Sequence, residues 1–251
     1  MTSNPTNIPP QPDGILLVDK PQDWTSHDVV NFLRRRFHLK KTGHCGTLDP
    51  FATGLLVLLV GKATRLQDQL MGCDKTYSGI IRLGVETDSQ DRTGEITATS
   101  EVPADLTLAK LQQIADTFLG EQLQTPPMHS ALKLNGQPLY KLARKGQTVE
   151  REPRPITIRS FQLLSYQDAE IIFVVRCSKG TYVRTLAADF GVRLGCGAHL
   201  KELRREASGS FRVSQAATVE AIRAWTDEEF PNHLLPPTVP AATGAMSEEE
   251  G

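Results

Sequence analysis

Two patterns of apolar residues alternate along the chain. Short continuous runs mark strands, and residues recurring every three or four positions mark helices. Residues 15–18 form an apolar run opened by Gly14 and closed at Lys20-Pro21, which predicts a strand stopped by the proline. Val29, Val30, Phe32 and Leu33 follow at helical spacing behind Thr25 and Ser26, either of which can cap that helix. Residues 42–54 are rich in glycine and read as a loop, and the run 55–60 between Gly54 and Gly61 reads as a buried strand. Residues 62–72 predict a helix with Ala63, Leu66 and Leu70 on one face, and 77–83 a strand. Residues 84–94 read as a polar loop, and 106–119 as an amphipathic helix ended by Gly120.

The second half reads in the same way. Strands are expected at 156–164 and 171–177. Residues 181–194 predict a helix with Val183, Leu186, Ala187, Phe190 and Leu194 inward. Residues 200–205 fit an edge strand or a short helix, and 219–225 a last helix. Strands and helices are intermixed without βαβ alternation, so the expected fold is α+β, with a mixed, largely antiparallel central sheet flanked by helices. Residues 1–13 are polar and Pro-rich and read as a flexible arm, and the segment from about Pro236 as a disordered acidic, Pro-rich tail. The span 14–213 is then one catalytic-sized domain, and 214–251 a short helix plus tail.

Charge changes this picture locally. The whole chain carries a formal net charge of −1. Residues 214–251 hold seven acids and one base, which leaves 28 − 1 = 27 basic and 29 − 7 = 22 acidic residues, a net of +5, on residues 1–213. A mildly basic body suits a phosphate-bearing partner. The segment 121–155 concentrates this charge in Lys133, Lys141, Arg144, Lys145, Arg151 and Arg154, between prolines, as a basic insertion of the kind that carries function. No pair of the four cysteines has C-x-x-C spacing, so neither a zinc site nor a redox pair is expected. No run is long enough to span a bilayer, so a cytoplasmic protein is expected.

Three segments could carry chemistry. In GHCGTLDPFATG (43–54), Asp49-Pro50 taken alone reads as a helix N-cap with proline at the first helical position. His44, Thr47 and Asp49 crowd within that loop, however, and a carboxylate at the edge of the core needs a partner. In CSKGTYVRT (177–185), Arg184 at a strand-to-helix corner is either a surface charge or a bidentate group able to hold a carboxylate ionised. In DKTY (74–77), Tyr77 is either a simple β-former or a platform for an extruded base.

These segments, together with GILLVDKP, MHSALKLNGQPLYKLARKG and GCGAHLKELRR, stand in the order and spacing of TruB-type tRNA pseudouridine synthases, and the resemblance covers about residues 14–213. It implies that Asp49 is the catalytic carboxylate and Arg184 its ionic partner. Tyr77 would stack on the base, Tyr182 and Leu203 would line its pocket, and His44 would contact the displaced nucleotide stack. Lys20 and Pro21 match a motif of structural character. The implied reaction converts uridine-55 of the TΨC loop to pseudouridine without metal or cofactor. The implied partner is the T arm of tRNA, with the basic insertion closing over it, and the protein is expected to act as a monomer with no obligate protein partner. A C-terminal PUA domain found in many members is expected to be missing or shortened.

Rival readings are a tRNA-folding chaperone with little catalysis, a nucleoside or glycosyl hydrolase using paired carboxylates, and a metal-dependent nuclease. Asp88 and Asp91, the nearest acids for a hydrolase, read as turn residues, and no carboxylate cluster for a nuclease metal is visible.

Overall fold

A computed structural model of the chain describes residues 11–238, apart from Ala131, Asn135, Arg144, Lys145 and Thr148. In chain order the elements are β1 (Gly14–Lys20), α1 (Ser26–Arg36), β2 (Thr42–Cys45), β3 (Thr53–Val60), a 3-10 segment over Gly61–Leu66, α2 (Gln67–Met71), β4 (Lys75–Leu83), β5 (Val85–Thr87), β6 (Ile96–Thr99), α3 (Leu108–Asp116), β7 (Gly120–Gln124), β8 (Lys133–Leu134), β9 (Gln137–Pro138), α4 (Leu139–Ala143), β10 (Arg154–Gln167), β11 (Glu170–Cys177), α5 (Val183–Leu194), β12 (Ala198–Ser208), β13 (Phe211–Arg212), β14 (Ala217–Thr218) and α6 (Val219–Ala224). The architecture is the expected α+β one, with largely antiparallel strand pairing flanked by helices. The chain divides into two compact units, Met1–Met71 with Gly209–Gly251, and Gly72–Ser208, where the sequence suggested one span over 14–213.

In the first unit β3 is the central strand. It pairs antiparallel with β1 and β2, and β14 lies parallel to β1. Both faces of these strands are covered. Leu16, Val18, Leu56, Leu58 and Val60 pack under α1 and α6, while Ile15, Leu17, Leu55, Val57 and Leu59 pack against Ala63, Leu70 and Phe211. Two-sided burial is the physical reason that both strands read as unbroken apolar runs rather than as alternations. Helix α1 starts on a full capping box. The Thr25 hydroxyl accepts from Asp28 N at 3.0 Å, and the Asp28 carboxylate accepts from Thr25 N at 2.8 Å. The Ala63, Leu66 and Leu70 face is correct, but the backbone over Gly61–Leu66 is 3-10. There the Thr64 hydroxyl donates back to Gly61 O at 2.8 Å, which favours the tighter turn. The expected loose arm does not extend to residue 13. Gln11 bonds the backbone of Lys40 and Lys41, and Asp13 accepts from Lys62 N.

The second unit pairs β12, β4, β11, β10 and β7 antiparallel, in that order. Here burial alternates. In β11 Ile171, Phe173, Val175 and Cys177 are buried, whereas Ile172 and Arg176 are exposed. The inward face carries Phe161 and Phe173 against Phe118 and Phe190, with ring centres 5.6–6.2 Å apart. Residues 200–205 fall in the longer strand β12, not in a helix. Helix α5 ends where Gly195 adopts φ 89° and its N–H returns to Gly191 O and Val192 O. Two loops expected from the sequence contain strands. Residues 84–94 include β5, paired with β6, and residues 42–54 include β2. Their side chains are polar or small, so no apolar period announced them. Helix α3 stops at Asp116, ahead of Gly120, because Thr117 caps it and Gly120, at φ 91°, opens β7 instead.

Candidate active site

The loop that carries Asp49 is fixed from below. Leu48, Phe51 and Ala52 are buried, and Asp49 between them is half-buried. Ser26, the first residue of α1, clamps the preceding peptide: its Oγ accepts from Leu48 N at 2.9 Å and donates to Leu48 O at 3.3 Å. Asp49-Pro50 does not cap a helix. Ala52 N donates to Asp49 O at 3.1 Å, which closes a turn that leads directly into β3. The following carbonyl, Pro50 O, accepts from Asp23 N at 2.8 Å and from Lys20 Nζ at 3.2 Å.

Lys20 explains its own sequence motif. Its side chain is fully buried at the end of β1, and its ammonium also donates to Pro21 O at 2.9 Å and Trp24 O at 2.6 Å. A buried ammonium is tolerable only when several oxygens solvate it. Those oxygens come from the β1–α1 turn and from the Asp49 loop, so Lys20 ties the two together. His44 lies in β2 opposite Leu58, half-buried, and Thr47 is exposed.

The remaining expected site residues belong to the second unit. Tyr182 is the N-cap of α5, not part of its first turn. Its N–H donates to Gln124 Oε1 at 2.8 Å, and its carbonyl accepts from Gln124 Nε2 at 3.1 Å. Arg184, in the first turn, is 3% exposed. Its Nη1 donates to Ser89 O at 3.0 Å and lies 3.3 Å from Asp91 Oδ2, while Nη2 donates to His129 O at 2.8 Å. The guanidinium is thus aimed by the 88–94 loop and by the segment after β7, and it is not a surface charge. On β4, Tyr77 is half-buried opposite Arg205 of β12, and Leu203 faces Gly79 two positions away. The antiparallel register therefore puts Tyr77, Leu203 and the fully buried Arg205 on one side of the strands.

Asp91 was not singled out for chemistry by its sequence. It does form the expected turn, its Oδ1 accepting from Ser89 Oγ at 2.8 Å, Thr93 N at 2.9 Å and Thr93 Oγ1 at 2.6 Å. It is also buried, with its other oxygen on Arg184. The D-R-T-G spacing signals the turn, but nothing local signals a partner 93 positions along the chain. Gln124, Ser26 and Arg205 were missed for the same reason.

Of the basic insertion, Lys133 opens β8, and Arg144 and Lys145 lie outside the described residues. Lys141 on α4 and Arg154 at the start of β10 are exposed. Arg151 is half-buried, and its Nη1 donates to Pro126 O at 3.1 Å, so it braces the segment's own backbone. Burial pushes the Cys177 thiol up to about 12, so it is no nucleophile at neutral pH. Among the described residues, no cluster of His, Cys, Asp and Glu could hold a metal, and no helix is long and apolar enough to cross a membrane.

Against known proteins, residues 34–183 match the family model for the N-terminal domain of TruB family pseudouridylate synthase. Residues 184–239 match the tRNA pseudouridylate synthase B C-terminal domain. The tRNA pseudouridine synthase B of Opitutus terrae is 53% identical over 224 residues, which cover 89% of this chain and 92% of that one. That of Syntrophotalea carbinolica is 52% identical over 223 residues, covering 89% and 72%. Among solved structures, a chain of a Cbf5-Nop10-Gar1 complex is 30% identical with a TM-score of 0.69. The match covers 89% of this chain and 60% of that one, so this chain spans about three fifths of its length. A chain of an H/ACA RNP bound to a substrate RNA containing 2'-deoxyuridine is 27% identical with a TM-score of 0.66.

Proposed function

The chain belongs to the TruB family of pseudouridylate synthases, and from that premise we propose that it converts uridine-55 in the TΨC loop of tRNA to pseudouridine with Asp49 as the catalytic carboxylate. It is an isomerase acting on tRNA. The reaction breaks the N–C glycosidic bond, turns the uracil and forms a C–C bond, with no net redox change and no net hydrolysis. The uridine has to leave its stack first, at a cost of a few kcal/mol.

The observation that carries the assignment is the way the Asp49 loop is built. A half-buried carboxylate sits between buried anchors, with the peptide before it clamped by Ser26 and the carbonyl after it held by a buried ammonium. A group positioned in this way suits an ionised nucleophile or a charge opposite a sugar. The motif resemblance gives Arg184 as the cation for that carboxylate. In support of that role, the arginine is buried, always charged, and oriented by Asp91 and two carbonyls. Tyr77 is proposed as the base platform, Tyr182 and Leu203 as pocket wall, and His44 as a contact to the displaced stack. The T arm would meet the 121–155 segment through Lys141 and Arg154, with Lys133, Arg144 and Lys145 adding charge.

The hydrolase reading loses ground on Asp91. Both of its oxygens are engaged, one by Ser89 and Thr93 and the other by Arg184, so it is not poised to donate a proton to a leaving group. The position is tested by digesting treated tRNA transcript to nucleosides and mapping the product along the chain. Pseudouridine is expected at position 55 and lost when that uridine is replaced by cytidine. Undiminished product in the cytidine transcript would overturn the site, and free uracil would restore the hydrolase.

A further inference from the structure

Helix α1 presents a second face besides the one it buries. Val29, Val30 and Leu33 point into the core, while Asp28, Asn31, Phe32, Arg35 and Arg36 recur at helical spacing along an open flank. With Trp24 they line a cavity of about 510 Å³, inside the roughly 300–1,000 Å³ range that small ligands occupy. Trp24 and Phe32 meet edge to face, ring centres 5.9 Å apart and planes at 78°. The other cations beside it are committed. Arg36 bonds Asp227 at 2.9 Å and the Trp225 carbonyl, and the Arg223 guanidinium lies over Phe32 at 5.7 Å. Arg35 is exposed and makes no ion pair among the described residues.

We propose that this cavity is a second RNA subsite that takes one unpaired guanosine nucleotide, distinct from the uridine that is modified. Two aromatic rings give a surface on which a base stacks, and Arg35 supplies the charge for its phosphate. The edge of the base is read by Asp28 and Asn31. Asp28, on the cavity lining, spends only Oδ2 on the capping box, which leaves Oδ1 as a pure acceptor suited to the adjacent N–H donors of guanine. A free mononucleotide would gain little beyond one stack and one phosphate in so open a site. In RNA the backbone continues, and exposed Arg34, Lys40 and Lys41, near Arg35 in the chain, add charge to receive it. The assignment rests on the reading that the substrate is an RNA, but not on catalysis.

The test uses the full chain in a Trp225→Phe background, which leaves Trp24 as its only tryptophan. The trinucleotide GpGpG is titrated against Trp24 fluorescence, with UpUpU as the comparison. Saturable quenching is expected for GpGpG, about tenfold tighter than for UpUpU, and Arg35→Glu should weaken it by about tenfold or more while Asp49→Asn leaves it intact. On tRNA, Arg35→Glu should raise KM with kcat unchanged. Absence of quenching, equal affinity for the two trinucleotides, or indifference to Arg35→Glu would overturn the subsite. Quenching by a chain that keeps Asp49 yet makes no pseudouridine would instead count against the functional reading alone, so the two failures are separable. Since Arg35 is exposed, the circular dichroism of Arg35→Glu is expected to be unchanged; loss of fold in it moves the test to Arg35→Gln, with the same expected direction.

Discussion

At the scale of residues, two buried cations, Lys20 and Arg184, are held by oxygens. Arg184 and Asp91 are both nearly inaccessible and 3.3 Å apart, and removing one member of a buried pair leaves the other uncompensated. Asp91→Ala is therefore expected to cost about 3–5 kcal/mol in urea unfolding, and to lower kcat more than it raises KM, because the guanidinium loses its aim. A stability change within error would mean that the backbone carbonyls hold Arg184 alone. Lys20→Met should likewise destabilise, by about 1–3 kcal/mol for each carbonyl left without its donor, and should lower activity through the Asp49 loop. Unaltered activity in a folded Lys20→Met protein would show that the loop does not need that tie. The candidate carboxylate, the arginine and the tyrosines were legible in the sequence because they sit in distinctive local motifs. Asp91 and Ser26 were not, since their partners lie 93 and 22 positions away and only folding brings them together.

At the scale of elements, apolar period predicted what burial had written. The continuous runs became β1 and β3, buried on both faces, and the alternating runs became β10 and β11, buried on one. Strands β2 and β5 escaped because a polar or glycine-bearing strand carries no such period. The start of α1 was readable to within one residue, with Thr25 as the cap, and Thr25→Ala should cost about 1 kcal/mol. The same cap sets a pH dependence. Hydrogen bonds from Thr25 hold the Asp28 carboxyl below the usual carboxylate range. A carboxyl whose folded value is depressed contributes stability above its unfolded value and loses it as pH falls through the folded one. The gap in urea midpoint between the natural chain and Asp28→Asn should accordingly be present at neutral pH and shrink in acid. A gap that widens in acid would reverse the sign of this account.

At the scale of the whole molecule, a net charge of −1 conceals a body of +5, by the count 27 − 22, and an acidic C-terminal segment. Binding to tRNA should weaken steeply with salt, and replacing Lys141, Arg144 and Lys145 together by glutamine should flatten that dependence. An unchanged slope would take the 121–155 segment out of the interface. The division into two units was not legible, because the first is assembled from both ends of the chain and no linker marks the seams at Met71 and Gly209. Family membership survives that difficulty, since matching segments run through both units. The most direct measurement is release of tritium from tRNA carrying the label at uridine C5. The chain should release it without freeing uracil, and Asp49→Asn should abolish release while tRNA binding persists; full release by Asp49→Asn would contradict the assignment of Asp49.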